Sequence, residues 1–157
     1  MRHALAAVLL WSWASLAAAA DLRPFDARSA DAIRARESGR PFVLSFWSTT
    51  CEPCREDMKV LREAQRRHPG LRVHLVSVDP PQDHRAVRAF LKRYDPGPAV
   101  RWAFADDFGE RVRHGVDPAW RGELPRTYLY DARLNAVVVS GVIDPAALDR
   151  WVSGVRR

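Results

Sequence analysis

Cysteine and lysine are both scarce in this chain of 157 residues, which has two cysteines, Cys51 and Cys54, and two lysines, Lys59 and Lys92. Two cysteines allow one disulfide, and that disulfide would close a loop of about four residues. On the chain-entropy account so short a loop contributes about 2 kcal/mol to stability, against about 4.7 kcal/mol for a hundred-residue loop. A purely structural role for the pair is therefore disfavoured.

The chain also lacks internal repeats, low-complexity segments and a stripe of like charge. Its 25 Lys and Arg outnumber its 19 Asp and Glu, which gives a net charge of +6. Because basic and acidic residues alternate along the length, this excess indicates a solvated surface rather than a nucleic-acid-binding patch. We expect no nucleic-acid partner.

One long apolar run is present, at the N-terminus, in MRHALAAVLLWSWASLAAAA. Arg2 and His3 precede it and an A-x-A signature at Ala18–Ala20 ends it, the pattern of a cleaved secretory signal peptide. An uncleaved anchor is the alternative, although the run is shorter than the roughly 20 apolar residues of a spanning helix. No cysteine follows the run, so a lipid anchor is not supported. We expect residues 1–20 to be removed and residues 21–157 to form one soluble domain in the periplasm.

Breaker residues and periodic apolar positions divide the rest of the chain into alternating helices and strands. The predicted helices are Ala30–Ser38, with Ser29 as N-cap and Gly39 after its end, a helix from Cys54 to the Pro69-Gly70 break, one from Asp83 to about Arg93, and one starting at Asp144-Pro145. The predicted strands are Pro41–Trp47, Leu71–Val78, Arg126–Tyr130 and Ala136–Ile143. The stretch 100–116 is predicted less sharply, as an apolar run followed by a short helix or turn. This order predicts a mixed α/β sheet with helices on both faces and an antiparallel hairpin near its end.

The segment FWSTTCEPCREDM places the two cysteines where a buried strand turns into a helix. Free backbone N–H groups and the positive end of the helix dipole at such a turn stabilise a thiolate, so Cys51 is the expected nucleophile. Pro53 suits the first helical turn, where its missing N–H costs nothing, and it holds Cys54 one turn on as the resolving thiol. The pattern predicts a pair that exchanges disulfides.

Zinc binding is an alternative, because His68 and His74 complete the spacing of a zinc finger with the two cysteines. About fourteen residues of helix would separate Cys54 from His68 by roughly 21 Å, and His74 lies beyond a Pro-Gly break. Zinc ligands all lie about 2.0–2.3 Å from one ion, so we expect no metal site and no cofactor. A peroxidase site is disfavoured as well, since the P-x-x-x-T-x-x-C pattern of peroxiredoxins would need proline at position 45 and threonine at position 48.

The segments FWSTTCEPCREDM, LVSVD and ELPRTYLYDARLNAVVVSG resemble the active-site turn, second strand and proline-hairpin region of TlpA/ResA-like thiol-disulfide oxidoreductases. The resemblance covers nearly all of residues 21–157. It implies a thioredoxin-like fold, with a central mixed sheet, a C-terminal antiparallel hairpin and helices on both faces. It also implies that Pro125 is a cis-proline facing the cysteines and that Leu124 offers its backbone to an extended substrate segment.

Three positions depart from the thioredoxin pattern: Ser45 replaces a buried aspartate, Thr50 a tryptophan and Lys59 a helix proline. These changes suit the fold but leave the redox potential open. Glu52, between the cysteines, either opposes thiolate formation or is screened by solvent. We treat Glu52 and Pro53 as residues that tune the cysteine pair.

The resemblance implies an extracytoplasmic enzyme that reduces disulfides in other proteins, with cytochrome c maturation as a candidate setting. Its partners would be disulfide- or thiol-bearing extracytoplasmic proteins and a membrane-embedded electron donor, because the compartment is oxidising. We expect a monomer. The alternative function is a module on the same fold that binds and delivers Cu(I) through the two thiolates, although no third ligand is obvious in the sequence.

Overall fold

The computed structural model describes residues 22–155. Its strands are β1 (Arg23–Phe25), β2 (Phe42–Trp47), β3 (Arg72–Ser77), β4 (Val100–Phe104), β5 (Arg126–Tyr130) and β6 (Ala136–Ser140). Its helices are α1 (Ser29–Glu37), α2 (Pro53–Arg67), α3 (His84–Tyr94), α4 (Gly109–Val116) and α5 (Pro145–Val155), with a 3-10 turn at Pro81–Asp83 before α3. The predicted signal peptide and the cleavage point before Asp21 lie outside the described residues.

The strands form one mixed sheet in the order β1-β4-β3-β2-β5-β6. Strands β1, β4, β3 and β2 run parallel, whereas β5 is antiparallel to both β2 and β6. At the centre, Val43 on β2 lies opposite Val73 on β3 and Leu129 on β5. The predicted α/β architecture, a mixed sheet that ends in an antiparallel hairpin, is confirmed.

Helices cover both faces of the sheet, because β2 is apolar on both sides and buried at every position. On one face, Val43 and Trp47 belong to a core that also contains residues of α2, α3 and α5. On the other face, Phe42, Leu44 and Phe46 belong to a core with residues of α1 and α4. Alternate residues of one strand thus enter two cores. The turn that follows β2, which carries the cysteines, starts from the most firmly packed strand of the sheet.

Two local features near the start of the described chain differ from the sequence prediction. Ser29 is not an N-cap, because α1 begins at this residue and its hydroxyl bonds to Asp26 instead, donating to the carboxylate and accepting from the N–H at 2.9 Å each. Strand β1 was not predicted: it is 3 residues long and contains Pro24, so it shows no strand periodicity. It is formed by long-range parallel pairing with β4. Gly39 does follow α1 in the left-handed region, with φ of +83°.

The other boundaries agree closely with the prediction, except that β6 ends at Ser140 rather than Ile143. The φ of +89° at Gly141 turns the chain out of the sheet there. Helix α5 begins where it was predicted, and Asp144 is its N-cap, since the Asp144 carboxylate accepts a hydrogen bond from the Ala146 N–H at 3.0 Å. No helix within residues 22–155 is long and apolar enough to cross a membrane.

His74 on β3 packs in the interior and is 1% exposed. Its Nδ1 accepts a hydrogen bond from Trp102 Nε1 at 3.2 Å, which leaves Nε2 to donate to the Glu37 carboxylate at 3.3 Å. Burial lowers the pKa of His74 to about 4, because the loss of solvation outweighs the attraction of Glu37. Arg72 also donates to Glu37, at 3.0 Å. This buried network ties α1 to the sheet.

Candidate active site

The two cysteines lie in the turn between β2 and α2 and form a disulfide, with a Cα–Cα distance of 5.4 Å. The Cys51 N–H donates to the Ser48 carbonyl at 3.1 Å, which closes the turn. Pro53 is the first residue of α2, the position predicted for it, where a missing N–H costs no hydrogen bond. Strand, turn and proline together set the separation of the two cysteines.

Cys51 and Cys54 differ in accessibility and in their position along the helix. Cys54 is fully buried, at 0% exposed, within the core shared by α2, α3 and α5. Cys51 is partly exposed and immediately precedes the helical turn that contains Cys54. Unpaired N–H groups of the first turn and the helix dipole favour negative charge at Cys51. Only Cys51 is thus accessible to a second protein.

The segment before β5 supplies the other predicted part of the site. The Leu124–Pro125 peptide bond is cis, as the resemblance implied, and Pro125 is buried. Leu124 is partly buried and packs against both cores, as Cys51 does against one of them. Within residues 22–155 the backbone N–H and carbonyl of Leu124 have no hydrogen-bond partner. They are available to pair with an extended segment of another chain.

A buried carboxylate, Asp79, fixes the turn before Cys51 and was not predicted as a site residue. It is 7% exposed, and its oxygens accept hydrogen bonds from the Thr49 N–H at 3.0 Å and the Thr49 hydroxyl at 2.9 Å. The hydroxyls of Ser48 and Ser77 donate to it as well, at 3.2 and 2.6 Å. Hydrogen bonds to a charged acceptor are among the stronger ones in proteins. Asp79 is therefore a positioning residue for the loop that presents Cys51.

A second buried carboxylate, Asp57, lies one turn beyond Cys54 on α2 and was also missed. Residues three apart on a helix are neighbours on its surface, and both side chains are buried, with Asp57 2% exposed. Its Oδ1 accepts from the Ile143 N–H at 2.8 Å, while its Oδ2 has no hydrogen-bond partner within the described chain. Burial raises the pKa of Asp57 to about 6, with a further contribution from the negative charge of Glu56. A buried carboxyl group with a raised pKa thus lies one helical turn from Cys54.

The remaining residues singled out in the sequence lie on the surface or bond locally. Glu52 is exposed at the N-cap position of α2 and makes no capping hydrogen bond, so its influence on the cysteines stays a prediction. Lys59 pairs with Glu56 at 2.9 Å on the exposed side of the helix. The hydroxyl of Ser45 bonds to that of Thr127 at 2.8 Å across β2 and β5. A neutral pair therefore occupies the position at which thioredoxins have an aspartate.

The two histidines considered as zinc ligands bond elsewhere. His68 follows α2, and its Nε2 lies 3.2 Å from an Asp149 oxygen on α5. His74 is enclosed in the network with Glu37 and Trp102. In the part of the chain that the structure describes, no group of three or more His, Cys, Asp or Glu side chains is arranged to hold a metal ion.

A mixed sheet flanked by helices, a disulfide at the start of a helix and a cis-proline before the next antiparallel strand together define a thioredoxin-fold protein. The AhpC/TSA family model matches residues 26–137, which is more than half of the chain. The protein therefore belongs to the AhpC/TSA family.

Curated relatives narrow the likeness within this family. Thiol-disulfide oxidoreductase ResA of Bacillus cereus is 28% identical over 93 residues, which cover 59% of this chain and 50% of the relative. ResA of Bacillus subtilis is 24% identical over 119 residues, covering 75% of this chain and 63% of the relative. The chain spans about half the length of the curated relatives it matches. The predicted likeness to TlpA/ResA-like proteins is confirmed.

Solved structures share the fold. A secreted Mycobacterium tuberculosis disulfide oxidoreductase homologous to Escherichia coli DsbE superimposes with a TM-score of 0.62 at 20% identity, over 76% of this chain and 85% of that one. A putative thiol:disulfide interchange protein DsbE from Chlorobium tepidum gives a TM-score of 0.59 at 23% identity, over 77% and 83% of the two chains. The thioredoxin-like fold is confirmed.

Proposed function

We propose that this protein is a thiol-disulfide oxidoreductase that reduces disulfides in other proteins. One observation carries the proposal: a partly exposed Cys51 and a fully buried Cys54 form a disulfide at the start of a helix. The unpaired backbone of Leu124, next to Pro125, would hold an extended substrate segment beside them. The names of the ResA relatives support this activity.

In the proposed reaction the reduced protein attacks first with the Cys51 thiolate. Its sulfur bonds to one sulfur of the substrate disulfide, and the other substrate sulfur leaves as a thiolate that takes up a proton. Cys54 then loses its proton and attacks the Cys51 sulfur of this mixed disulfide, releasing the second substrate thiolate. The substrate gains two electrons and two protons, and the Cys51–Cys54 dithiol becomes a disulfide.

Asp57 is suited to the proton transfer that the second step requires. Cys54 is buried away from water, so a nearby group must accept its proton before it can attack. The Asp57 carboxylate lies one turn away and has a free Oδ2. Because its pKa of about 6 lies closer to that of a thiol than an ordinary aspartate's does, the transfer is less unfavourable.

A reduction assay tests the activity directly. We expect the protein to catalyse the reduction of insulin by dithiothreitol and the Cys51→Ser variant to be inactive, because the nucleophile is lost. A redox potential of about −120 mV, measured against glutathione and at the strongly oxidising end of the known range, would contradict the reductive direction. Stoichiometric, tight Cu(I) binding by the reduced protein without insulin reduction would favour the copper-delivery alternative instead.

We propose further that the enzyme acts in the periplasm and that a membrane-embedded donor restores its reduced form. The signal-peptide pattern of residues 1–20 supports this location, and one solved structure with the same fold belongs to a protein described as secreted. A donor is needed because the compartment itself is oxidising.

If the signal-peptide pattern is processed as proposed, the mature chain begins at Asp21. We expect the mass of the protein recovered from the extracytoplasmic fraction to match residues 21–157. A chain that retains Met1 would contradict this proposal and would favour the uncleaved anchor.

A further inference from the structure

Helix α3 departs from the alternation of charge that the sequence shows elsewhere. Its 11 residues include no aspartate or glutamate and carry four strongly basic side chains, namely Arg85, Arg88, Lys92 and Arg93. Within residues 22–155, none of these four forms an ion pair. On α2, by contrast, Lys59 pairs with Glu56 and Arg66 with Glu63. The positive charge of α3 is therefore not neutralised by the fold.

Aromatic residues in the C-terminal half of α3 pack next to the candidate active site. Phe90 packs on Trp47, the last residue of β2, with ring centroids 4.9 Å apart, and Tyr94 packs on Phe90 at 4.4 Å. The guanidinium of Arg55, the residue after Cys54, lies 5.5 Å from the Tyr94 ring centroid and 6.0 Å from that of Phe90. These contacts place Arg55 against α3, directly beside the cysteine turn.

Tyr94 is approached by two guanidinium groups, which is an unusual concentration of like charge. Arg93 also lies 5.5 Å from its ring centroid. Neither Arg55 nor Arg93 has a carboxylate partner in the described chain, and the Nε of Arg55 is buried without a hydrogen bond. Arg55 is half-buried and Arg93 is exposed. A cation in the first turn of a helix, as Arg55 is on α2, also opposes the helix dipole. Both guanidiniums therefore remain available to bind carboxylates of another protein.

We propose that Arg55, Phe90, Arg93 and Tyr94 form a basic–aromatic patch that binds acidic side chains of the substrate protein next to the cysteine under attack. The inference rests on the proposed function, because the patch selects among substrates of that same reaction. Aspartate or glutamate carboxylates of the substrate would supply the partners that the two guanidiniums lack. The aromatic rings keep the guanidiniums oriented and exclude water from part of the contact. The substrate class is therefore a cysteine-containing segment with flanking acidic residues.

If the patch binds acidic side chains, the protein should prefer acidic substrates, and its reaction rates with two matched peptides test this preference. Each peptide has one cysteine, activated as a mixed disulfide with 2-thiopyridine. The thiopyridine that the reaction releases is uncharged and is followed by its absorbance. The cysteine is flanked by four glutamates in one peptide and by four glutamines in the other. We expect the reduced protein to react about tenfold faster with the acidic peptide at low ionic strength, with the advantage shrinking as salt is added. The Arg55→Gln/Arg93→Gln variant should lose most of this ratio. The ratio isolates recognition, because any change in Cys51 reactivity affects both peptides alike.

A charge-matched control separates the patch from net charge. Arg36 on α1 and Arg133 in the β5–β6 turn are exposed and have no ion pair among the described residues, so Arg36→Gln/Arg133→Gln should leave both rates and their ratio unchanged. Equal rates for the two peptides with the wild-type protein would overturn the patch while leaving the oxidoreductase proposal intact. No reaction with either peptide would overturn both. A third outcome would overturn the substrate-binding role of the patch in favour of a lipid surface. In that outcome the wild-type protein binds vesicles that contain anionic phosphatidylglycerol, the Arg55→Gln/Arg93→Gln variant does not, and neither protein prefers one peptide.

Discussion

The Cys54→Ser variant is expected to accumulate substrate proteins covalently attached through Cys51, whereas the Cys51→Ser variant should trap almost none. Without Cys54, the mixed disulfide can form but cannot be released by the intramolecular route. Without Cys51, the remaining thiol is fully buried and cannot reach a substrate. If the pair were a structural disulfide, or if two equivalent thiolates bound Cu(I), the two variants would not differ in this way.

Non-reducing gels of the two variants, each expressed with residues 1–20 in place, measure this asymmetry, and mass spectrometry identifies the attached proteins. A Cys51→Ser/Cys54→Ser double variant is the matched control for non-specific bands. Equal trapping by both single variants, or none by either, would contradict the proposed mechanism. Apocytochrome c among the captured proteins would support the proposed setting in cytochrome c maturation over general disulfide reduction.

The central part of the fold was predictable because its signals are local. Strand β2 is a short apolar run after a breaker, and α2 follows it with Met58, Leu61 and Ala64 on one buried side. The cysteine turn between them follows from the same two elements. Strand β1 could not be predicted in this way, because a three-residue strand containing a proline is recognisable only from its partner β4.

The burial of the two carboxylates, Asp57 and Asp79, could not be predicted from the sequence, because tertiary contacts create their environment. In the sequence, Asp79 is only the residue that follows the predicted strand Leu71–Val78. Strands β2 and β3 are parallel, with Trp47 opposite Ser77, so the residues just beyond each strand meet at one edge of the sheet. That register brings Asp79 to Thr49, and the parallel order of the two strands was the signal that could have revealed it.

Asp57 gives no comparable signal in the sequence, since a polar residue within a helix is usually solvated. The β6–α5 connection covers it, where the Ile143 N–H donates to its carboxylate. Long-range packing therefore decides that this aspartate is buried. The proton-transfer role proposed for it follows from that burial, and its removal should have opposite effects on stability and on activity.

The Asp57→Asn variant is expected to be more stable than the wild type at pH 8, by up to about 3 kcal/mol, and to converge with it near pH 4. The raised pKa of Asp57, about 6 against an ordinary 3.8, means that the folded state binds the proton more tightly than the unfolded state. Its contribution therefore favours folding at low pH and is lost as the pH rises through this window. A shift of about two units corresponds to about 3 kcal/mol. The amide keeps an oxygen for the Ile143 N–H and carries no charge to bury.

Urea unfolding of both oxidised proteins between pH 4 and 8 provides the measurement, with the difference between the two curves as the quantity of interest. The difference is needed because His74 has the opposite dependence: its lowered pKa of about 4 makes it favour folding at high pH, a contribution lost as the pH falls below about 6.5. That contribution is common to both proteins and cancels. A difference that does not change with pH would contradict the assignment of the raised pKa to Asp57.

The same substitution should slow disulfide exchange even though it stabilises the fold. Without a carboxylate next to Cys54, the buried thiol has no acceptor for its proton, and we expect the second step to slow by about 100-fold at pH 7. The loss should be visible in single turnover as a longer-lived mixed disulfide on Cys51, and the rise of the wild-type rate near pH 6 should disappear. Glu63→Gln, which removes an exposed carboxylate from the same helix, should change neither the rate nor its pH profile. The Asp57→Asn variant could instead be stabilised and still resolve the mixed disulfide at the wild-type rate. That result would mean that water, not the Asp57 carboxylate, accepts the Cys54 proton, and that Asp57 has a structural role alone.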